Sequence, residues 1–223
     1  MDTALVAALD RELHQFLLEE SRRQGEGLYQ WYRTRYLPAG IGISHYDKTI
    51  ARFVLDNCGF ADRFIEIGAG IGQQCMLIAL AGRRSVAIES DRVNFDTLER
   101  ATARIAERID ARLPEYMSPI RDWYPTRANE YVTDRSILCF PTLSWKLNAE
   151  KEAEMFDSLR ASAGVIVGLG YFFQVRSSDD EQQWLINRIC ERGFSAPVDV
   201  CTWKQPVDGF PPNRIVYFGK ARQ

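Results

Sequence analysis

The chain has 223 residues, 46% hydrophobic and 26% charged, with a formal net charge of −2. That is enough to bury one full core, and the composition is that of an ordinary globular protein. The near-neutral balance argues against a polyanion such as DNA or RNA as partner, and no apolar run is long enough to cross a bilayer.

The first twenty residues carry acids throughout and lack the basic start and unbroken apolar stretch of a signal peptide. A cytoplasmic location is therefore expected. Leu5, Leu9, Leu13, Phe16 and Leu17 recur at helical spacing and predict a helix from about Thr3 to Arg23. After Gly25 and Gly27 comes an aromatic and basic stretch, Leu28 to Tyr36, closed by Pro38 and Gly40. A second helix is predicted from Ser44 or Asp47 to Asn57, with Ile50, Phe53, Val54 and Leu55 as its apolar face.

From there the pattern alternates strand and helix. Arg63–Ile67 reads as a short buried strand, followed by glycines and a helix from Gln73 to Leu80 that Gly82 stops. Ser85–Glu89 is the next strand, and Ser90 or Asp91 caps a helix running to Ile109 with Leu98, Ala101, Ile105 and Ile109 on one stripe. A weaker strand, Tyr116–Ile120, leads to Asp122, and a further strand covers Arg135–Phe140 before Pro141. A helix over Ala149–Leu159 precedes the apolar run Val165–Phe173, and another helix spans Asp180–Glu191. Two last strands, Pro197–Trp203 and Arg214–Gly219, flank a Pro- and Gly-rich loop. No helix separates them, so the last strand should enter antiparallel. The expected fold is α/β: a mostly parallel seven-stranded sheet with helices on both faces, a C-terminal antiparallel hairpin and an N-terminal helical cap. Residues 1–49 are expected to form that cap, and residues 50–223 the α/β domain.

Cys58, Cys75, Cys139, Cys190 and Cys201 are odd in number and form no C-x-x-C pair, so buried free thiols are expected. With only His14 and His45, a His-rich metal site is excluded, and no metal is expected.

The chemistry concentrates in Phe64-Ile-Glu-Ile-Gly-Ala-Gly-Ile-Gly72. A strand feeds a tight glycine turn that opens a helix, at the carboxyl end of the sheet where α/β folds collect ligands. Glu89 ends the second strand, where a carboxylate suits the cis hydroxyls of a ribose. Dinucleotide enzymes use G-x-G-x-x-G, whereas here the glycines fall at 68, 70 and 72, with Gln73 where the last dinucleotide glycine would stand. Glu66 would sit badly beside a pyrophosphate and well beside an ammonium group. No phosphate-binding Lys follows the loop, which excludes a P-loop.

The E-x-G-x-G-x-G loop, Glu89 and Asp122 together resemble the class I S-adenosylmethionine (SAM) dependent methyltransferases, as does the order of elements from Ile50 onward. The resemblance implies that Glu66 with Gly68, Gly70 and Gly72 holds the methionine portion of SAM and that Glu89 holds the ribose. It also implies that Asp122 meets the adenine amino group and Trp123 packs beside the base, with S-adenosylhomocysteine (SAH) as product. A single Asp at a strand end also serves as a cap or turn residue.

After the fourth strand the chain reads Phe140-Pro-Thr-Leu-Ser-Trp145, without the [D/N]-P-P-[Y/F] signature of enzymes that methylate exocyclic amines. A small-molecule acceptor is expected, with O-methylation favoured and N- or C-methylation open, by metal-free in-line displacement. Cys139 inside an apolar strand reads as an inert buried thiol rather than a nucleophile. His45 is a candidate general base and Tyr46 a candidate for orienting the acceptor or meeting the SAM carboxylate. The alternative is that Ser44 or Asp47 caps the helix and His45 is a bystander. The Tyr29–Tyr36 stretch is a candidate pocket lining, a stacking surface for single-stranded nucleic acid that the acidic balance disfavours, or ordinary packing, and Trp203, Lys204 and Phe210 lie near the expected acceptor mouth. Two other classes remain open: an NAD-binding oxidoreductase and a non-catalytic SAM-binding protein.

Overall fold

The computed structural model describes residues 1–125, 130–140, 149–169, 179–205, 207 and 213–221. Helix α1 (Thr3–Gln24) starts on Asp2, whose carboxylate accepts the Ala4 and Leu5 amides and so satisfies two of the free N–H groups of the first turn. A 3₁₀ turn (Gly25–Gly27), a π-helical turn (Tyr32–Tyr36) and the short α2 (Leu37–Ala39) lead to α3 (His45–Asn57). There follow β1 (Arg63–Ile67), α4 (Gln73–Leu80), β2 (Arg84–Glu89), α5 (Arg92–Arg108), α6 (Leu113–Tyr116), β3 (Met117–Arg121) and β4 (Ser136–Phe140). The chain ends with α7 (Ala149–Ser158), β5 (Gly164–Gly168), α8 (Asp179–Cys190), β6 (Val198–Trp203) and β7 (Asn213–Gly219).

The seven strands form one sheet in the order β3-β2-β1-β4-β5-β7-β6. The first five pair in parallel, and β7 enters antiparallel between β5 and β6. Alternation along the strands sorts the core into two layers. Phe64, Ala87, Ile137, Cys139, Ile166 and Ile215 pack with α1, α3, α4 and α5 on one face. Ile65, Ile67, Val86, Ile88, Leu138, Phe140, Val165, Val167, Val216 and Phe218 pack with Met155, Phe156, Leu185 and Ile189 of α7 and α8 on the other. Each such fully buried side chain contributes roughly 1.5–3 kcal/mol relative to exposure.

The expected α/β architecture and hairpin are present, with strand limits shifted by a residue or so. Two differences have physical causes. The turn before β3 is helical over Leu113–Tyr116, with Pro at its start, so the strand begins at Met117 rather than Tyr116. The aromatic stretch, to which the sequence assigned no element, winds over Tyr32–Tyr36 as a π turn that buries Tyr32 and Tyr36. The described part of β5 ends at Gly168, and the predicted residues 170–173 and Pro141–Trp145 lie outside the described residues. Three cysteines are buried free thiols as expected, while Cys190 and Cys201 are only partly buried.

Two clamps fix the N-terminal segment. Asp10 of α1 accepts the Gly42 and Ile43 amides at 2.7 and 2.9 Å and pairs with Lys48 at 2.9 Å, which holds the start of α3 against α1. Gly42 is required there, because a Cβ would lie 2.3 Å from the Asp10 carbonyl oxygen. On the other side α1 meets α5 through ion pairs: Glu20 with Arg100, Glu12 with Arg104 and Arg108, and Glu19 with Arg104, while Arg23 of α1 itself also pairs with Glu20. Burial pushes the Glu20 carboxyl up, but hydrogen bonds from Arg23, Arg100 and Gln24 outweigh it and hold it down at about 2. A depressed carboxyl stabilises the fold above its unfolded pKa, here 4.5, and the gain is lost as pH falls toward 2. Glu20→Ala should therefore cost about 1–3 kcal/mol in urea unfolding near neutral pH, and the difference from wild type should shrink as pH is lowered. An unchanged midpoint at neutral pH would show that α1 docks without this carboxylate.

Candidate functional site

The site is built where β1 and β2 end side by side, in parallel register with Glu66 opposite Ala87 and Ile67 opposite Ile88. The Gly68 and Ala69 amides both donate to the Ile88 carbonyl, at 2.9 and 3.0 Å, which turns the chain sharply out of β1. Gly68, Gly70 and Gly72 all have positive φ, at 71°, 57° and 76°, a region glycine enters without penalty. Gly72 also has a packing reason: a Cβ there would lie 2.7 Å from Met117 and 2.8 Å from Leu98.

Glu89 holds the loop from β2. Its Oε2 accepts the Gly70 amide at 3.0 Å and its Oε1 accepts the Asp91 amide at 2.9 Å. Asp91 in turn caps α5 through the Asn94 amide. Asp122 adjoins them: its amide donates to the Glu89 carbonyl at 3.2 Å, and its Oδ1 accepts the Trp123 amide at 2.8 Å. The Trp123 side chain is 61% exposed. The structure thus gathers Glu66, the glycines, Glu89, Asp122 and Trp123 along the adjacent ends of β1, β2 and β3.

Glu66 points to the α4 face of the sheet, beside Cys75 of α4. It is 4% exposed, and its Oε2 is buried with no hydrogen-bond partner. A buried polar atom without a partner costs about 1–3 kcal/mol, so it calls for an explanation. Burial, reinforced by the charges of Asp47 and Glu89, drives the Glu66 carboxyl well above the usual range. Burial likewise raises Asp47 and Glu89, although both accept several hydrogen bonds.

Asp47 is a second junction. Its Oδ2 accepts the Ser44 amide, the Ser44 hydroxyl and the Tyr36 hydroxyl, at 2.9, 2.7 and 2.9 Å. Its Oδ1 takes Gln74 at 3.3 Å, and the Gln74 carbonyl oxygen takes the Cys139 thiol at 3.5 Å. Ser44 and Asp47 form a capping box at the start of α3. The expected cap is therefore present. It places His45, exposed, and Tyr46, 5% exposed, beside Trp203 of β6, with ring centroids 6.5 and 5.6 Å away in edge-on contact. The Thr49 hydroxyl lies 3.5 Å from His45 Nε2. Phe210 lies outside the described residues, and His14 is half-buried on α1. Cys139 is fully buried, and burial drives its thiol well up, which suits an inert role. Among the described residues no three His, Cys, Asp or Glu side chains are grouped as metal ligands, and no helix is long and apolar enough to cross a membrane.

Sequence reasoning left Tyr32 without a role of its own. Its hydroxyl accepts the Ile71 amide at 2.8 Å and lies 2.0 Å from where a Cβ on Gly70 would stand. The bare face of Gly70 is thus met by this hydroxyl. Only the run of aromatic residues hinted at it, because no local pattern links residue 32 to residue 70.

No family model and no curated protein matches the sequence. Solved structures match the fold. Magnesium protoporphyrin IX methyltransferase from Synechocystis PCC 6803, solved with SAM bound, has a TM-score of 0.58 at 10% identity, over 90% of this chain and 89% of its own. The methyltransferase domain of bacterial CtHen1 gives 0.58 at 13% identity, over 78% of this chain and 96% of its own. The N-terminal domain of EvdMO1, solved in the presence of SAH and D-fucose, gives 0.57 at 14% identity, over 80% and 84%. The chain has the class I, Rossmann-like methyltransferase fold.

The buried carboxyl at Glu66 yields a stability test. A carboxyl raised in the folded state favours the protonated fold, so stability falls as pH rises above its unfolded value of 4.5 toward the folded one. Glu66→Gln stays neutral at every pH. Its melting temperature should gain on wild type as pH is raised from roughly 5 to 8, in the absence of added ligand. A pH-independent difference would mean that Glu66 does not titrate differently on folding.

Proposed function

We propose that this chain is a SAM-dependent methyltransferase acting on a small-molecule acceptor in the cytoplasm, with residues 1–49 as a cap over the SAM-binding domain of residues 50–223. The observation that carries the reading is the partnerless carboxylate oxygen of Glu66, buried at the end of β1 with Asp47 and Glu89 close enough to raise it. Such a group suits a cation, and SAM carries two, an ammonium and a sulfonium. Glu66 meets the ammonium. Glu89 meets the ribose hydroxyls with lone pairs left over from the Gly70 and Asp91 amides, since each carboxylate oxygen has two. Asp122 and Trp123 take the adenine. When bound, SAM supplies an electrophilic methyl group, so the chain has to align an acceptor and remove its proton where needed.

The acceptor corner is His45, Tyr46 and Trp203, next to Asp47 and its partner Gln74. His45 takes the acceptor's proton and Tyr46 orients it; O-methylation suits a base of this type, without a metal. A small-molecule acceptor fits this aromatic corner. It also fits a surface on which Arg100, Arg104 and Arg108 are already paired with glutamates. Five free cysteines suit a reducing compartment.

Calorimetric titration with SAM, SAH and NAD tests the cofactor. Binding of SAM and SAH without NAD is expected, and tight NAD binding with no response to SAM would overturn the reading in favour of an oxidoreductase. Glu89→Ala should weaken SAH binding by roughly 1.5–3 kcal/mol. Radiolabelled methyl from SAM should appear in a small-molecule metabolite pool, and silence with SAM bound would point to a non-catalytic binder. Once an acceptor is known, His45→Ala should lower kcat by about 10²-fold or more while SAH affinity holds. An unchanged pH profile would remove His45 from the reaction.

A further inference from the structure

The tyrosines of the N-terminal segment form a row across the glycine loop. Tyr36 bonds Asp47 at one end, its ring 5.2 Å from that of Tyr32. Tyr32 is 4% exposed and gives its hydroxyl oxygen to the Ile71 amide, in the hollow left by the missing side chain of Gly70. Tyr29 lies edge-on to Tyr32 at 5.9 Å, half exposed, on the side of Glu89, whose charge helps raise its phenol. Two consecutive loop amides are therefore held by different parts of the chain: Gly70 by Glu89 from the sheet, and Ile71 by Tyr32 from the cap. The π turn that carries Tyr32 is a strained form of helix that commonly marks functional positions.

We propose that Tyr32 is a positioning residue of the cofactor site, fixing the glycine loop from the cap side so that Glu66 and Glu89 face one ligand. The inference rests on the SAM reading only for the identity of that ligand. The cap is thereby a wall of the cofactor site as well as of the acceptor corner. The Ile71 amide takes its partner from a segment 39 residues away in sequence.

Tyr32→Phe deletes the hydroxyl and keeps the ring. In the full-length chain the expected result is faster amide hydrogen exchange at residues 68–72 and SAH binding weakened roughly tenfold, with a melting temperature lowered by a few degrees at most. Wild-type exchange and wild-type SAH affinity would overturn the proposal. So would a lowered melting temperature with loop exchange and affinity unchanged, which marks a purely structural tyrosine. If the wild-type chain does not bind SAH at all, the SAM reading fails, and the exchange comparison still decides whether Tyr32 holds the loop. A second pair of variants checks the contact itself. Gly70→Ala should be less damaging in the Tyr32→Phe background than in wild type, because the hydroxyl that meets the new Cβ is gone. Strictly additive effects would show that the two residues do not touch.

Discussion

The buried carboxylate of Asp47 is the constraint on which the site depends. An ionised group taken out of water is costly unless its lone pairs are filled, and Asp47 fills them from separate stretches of chain. Ser44 comes from the start of α3, Tyr36 from the π turn and Gln74 from the first turn of α4. Moving α4 would leave Oδ1 unmet, and moving the π turn or the start of α3 would strip donors from Oδ2. The penalty for that, of order 1–3 kcal/mol for each lost partner, is a large share of the 5–15 kcal/mol that holds a typical domain together. One side chain thus sets where the cap, the helix after the glycine loop and the helix carrying His45 stand relative to one another.

The glycines divide their work differently from what a cofactor loop suggests at first reading. All three accept positive φ, but their empty Cβ positions face different neighbours. Gly72 opens onto Met117 and Leu98, so its smallness lets β3 and α5 close on the helix start. Gly70 opens onto Tyr32. A ligand-binding loop has to be rigid before the ligand arrives if binding is not to pay for ordering it, and here rigidity is supplied by protein groups on both sides. The sheet contributes Glu89 and the cap contributes Tyr32.

Local periodicity made the sheet and its helices legible, because strands buried on both faces read as apolar runs and the helices carry stripes at 3.6 residues. The capping Asp91 and Ser44, and Gly82 past the end of α4, were equally readable, since a cap is a one-turn relationship. The residues of the loop and the acids after β1, β2 and β3 were legible for the same reason: they sit at fixed offsets from a strand end. What escaped was every relationship between distant residues. The burial of Glu20 depends on Arg100 of α5. The role of Tyr32 depends on residues 70 and 71, and the meeting of Tyr46 with Trp203 depends on β6 lying beside α3. None of these leaves a trace in spacing.

The acids around Glu66 make a final point about why the chain keeps them. Glu66, Asp47 and Glu89 are all raised by burial, and each worsens the position of Glu66 or is worsened in turn by a neighbour. A core built for stability alone would place an apolar or amide side chain at the end of β1, where Cys139 and Ala87 stand opposite in register. Asp47 justifies its place through its hydrogen bonds, and Glu89 through the two amides it accepts. Glu66 keeps one oxygen that nothing in the described chain satisfies. A side chain that costs stability and leaves a lone pair unused fits the ammonium-binding role proposed for Glu66.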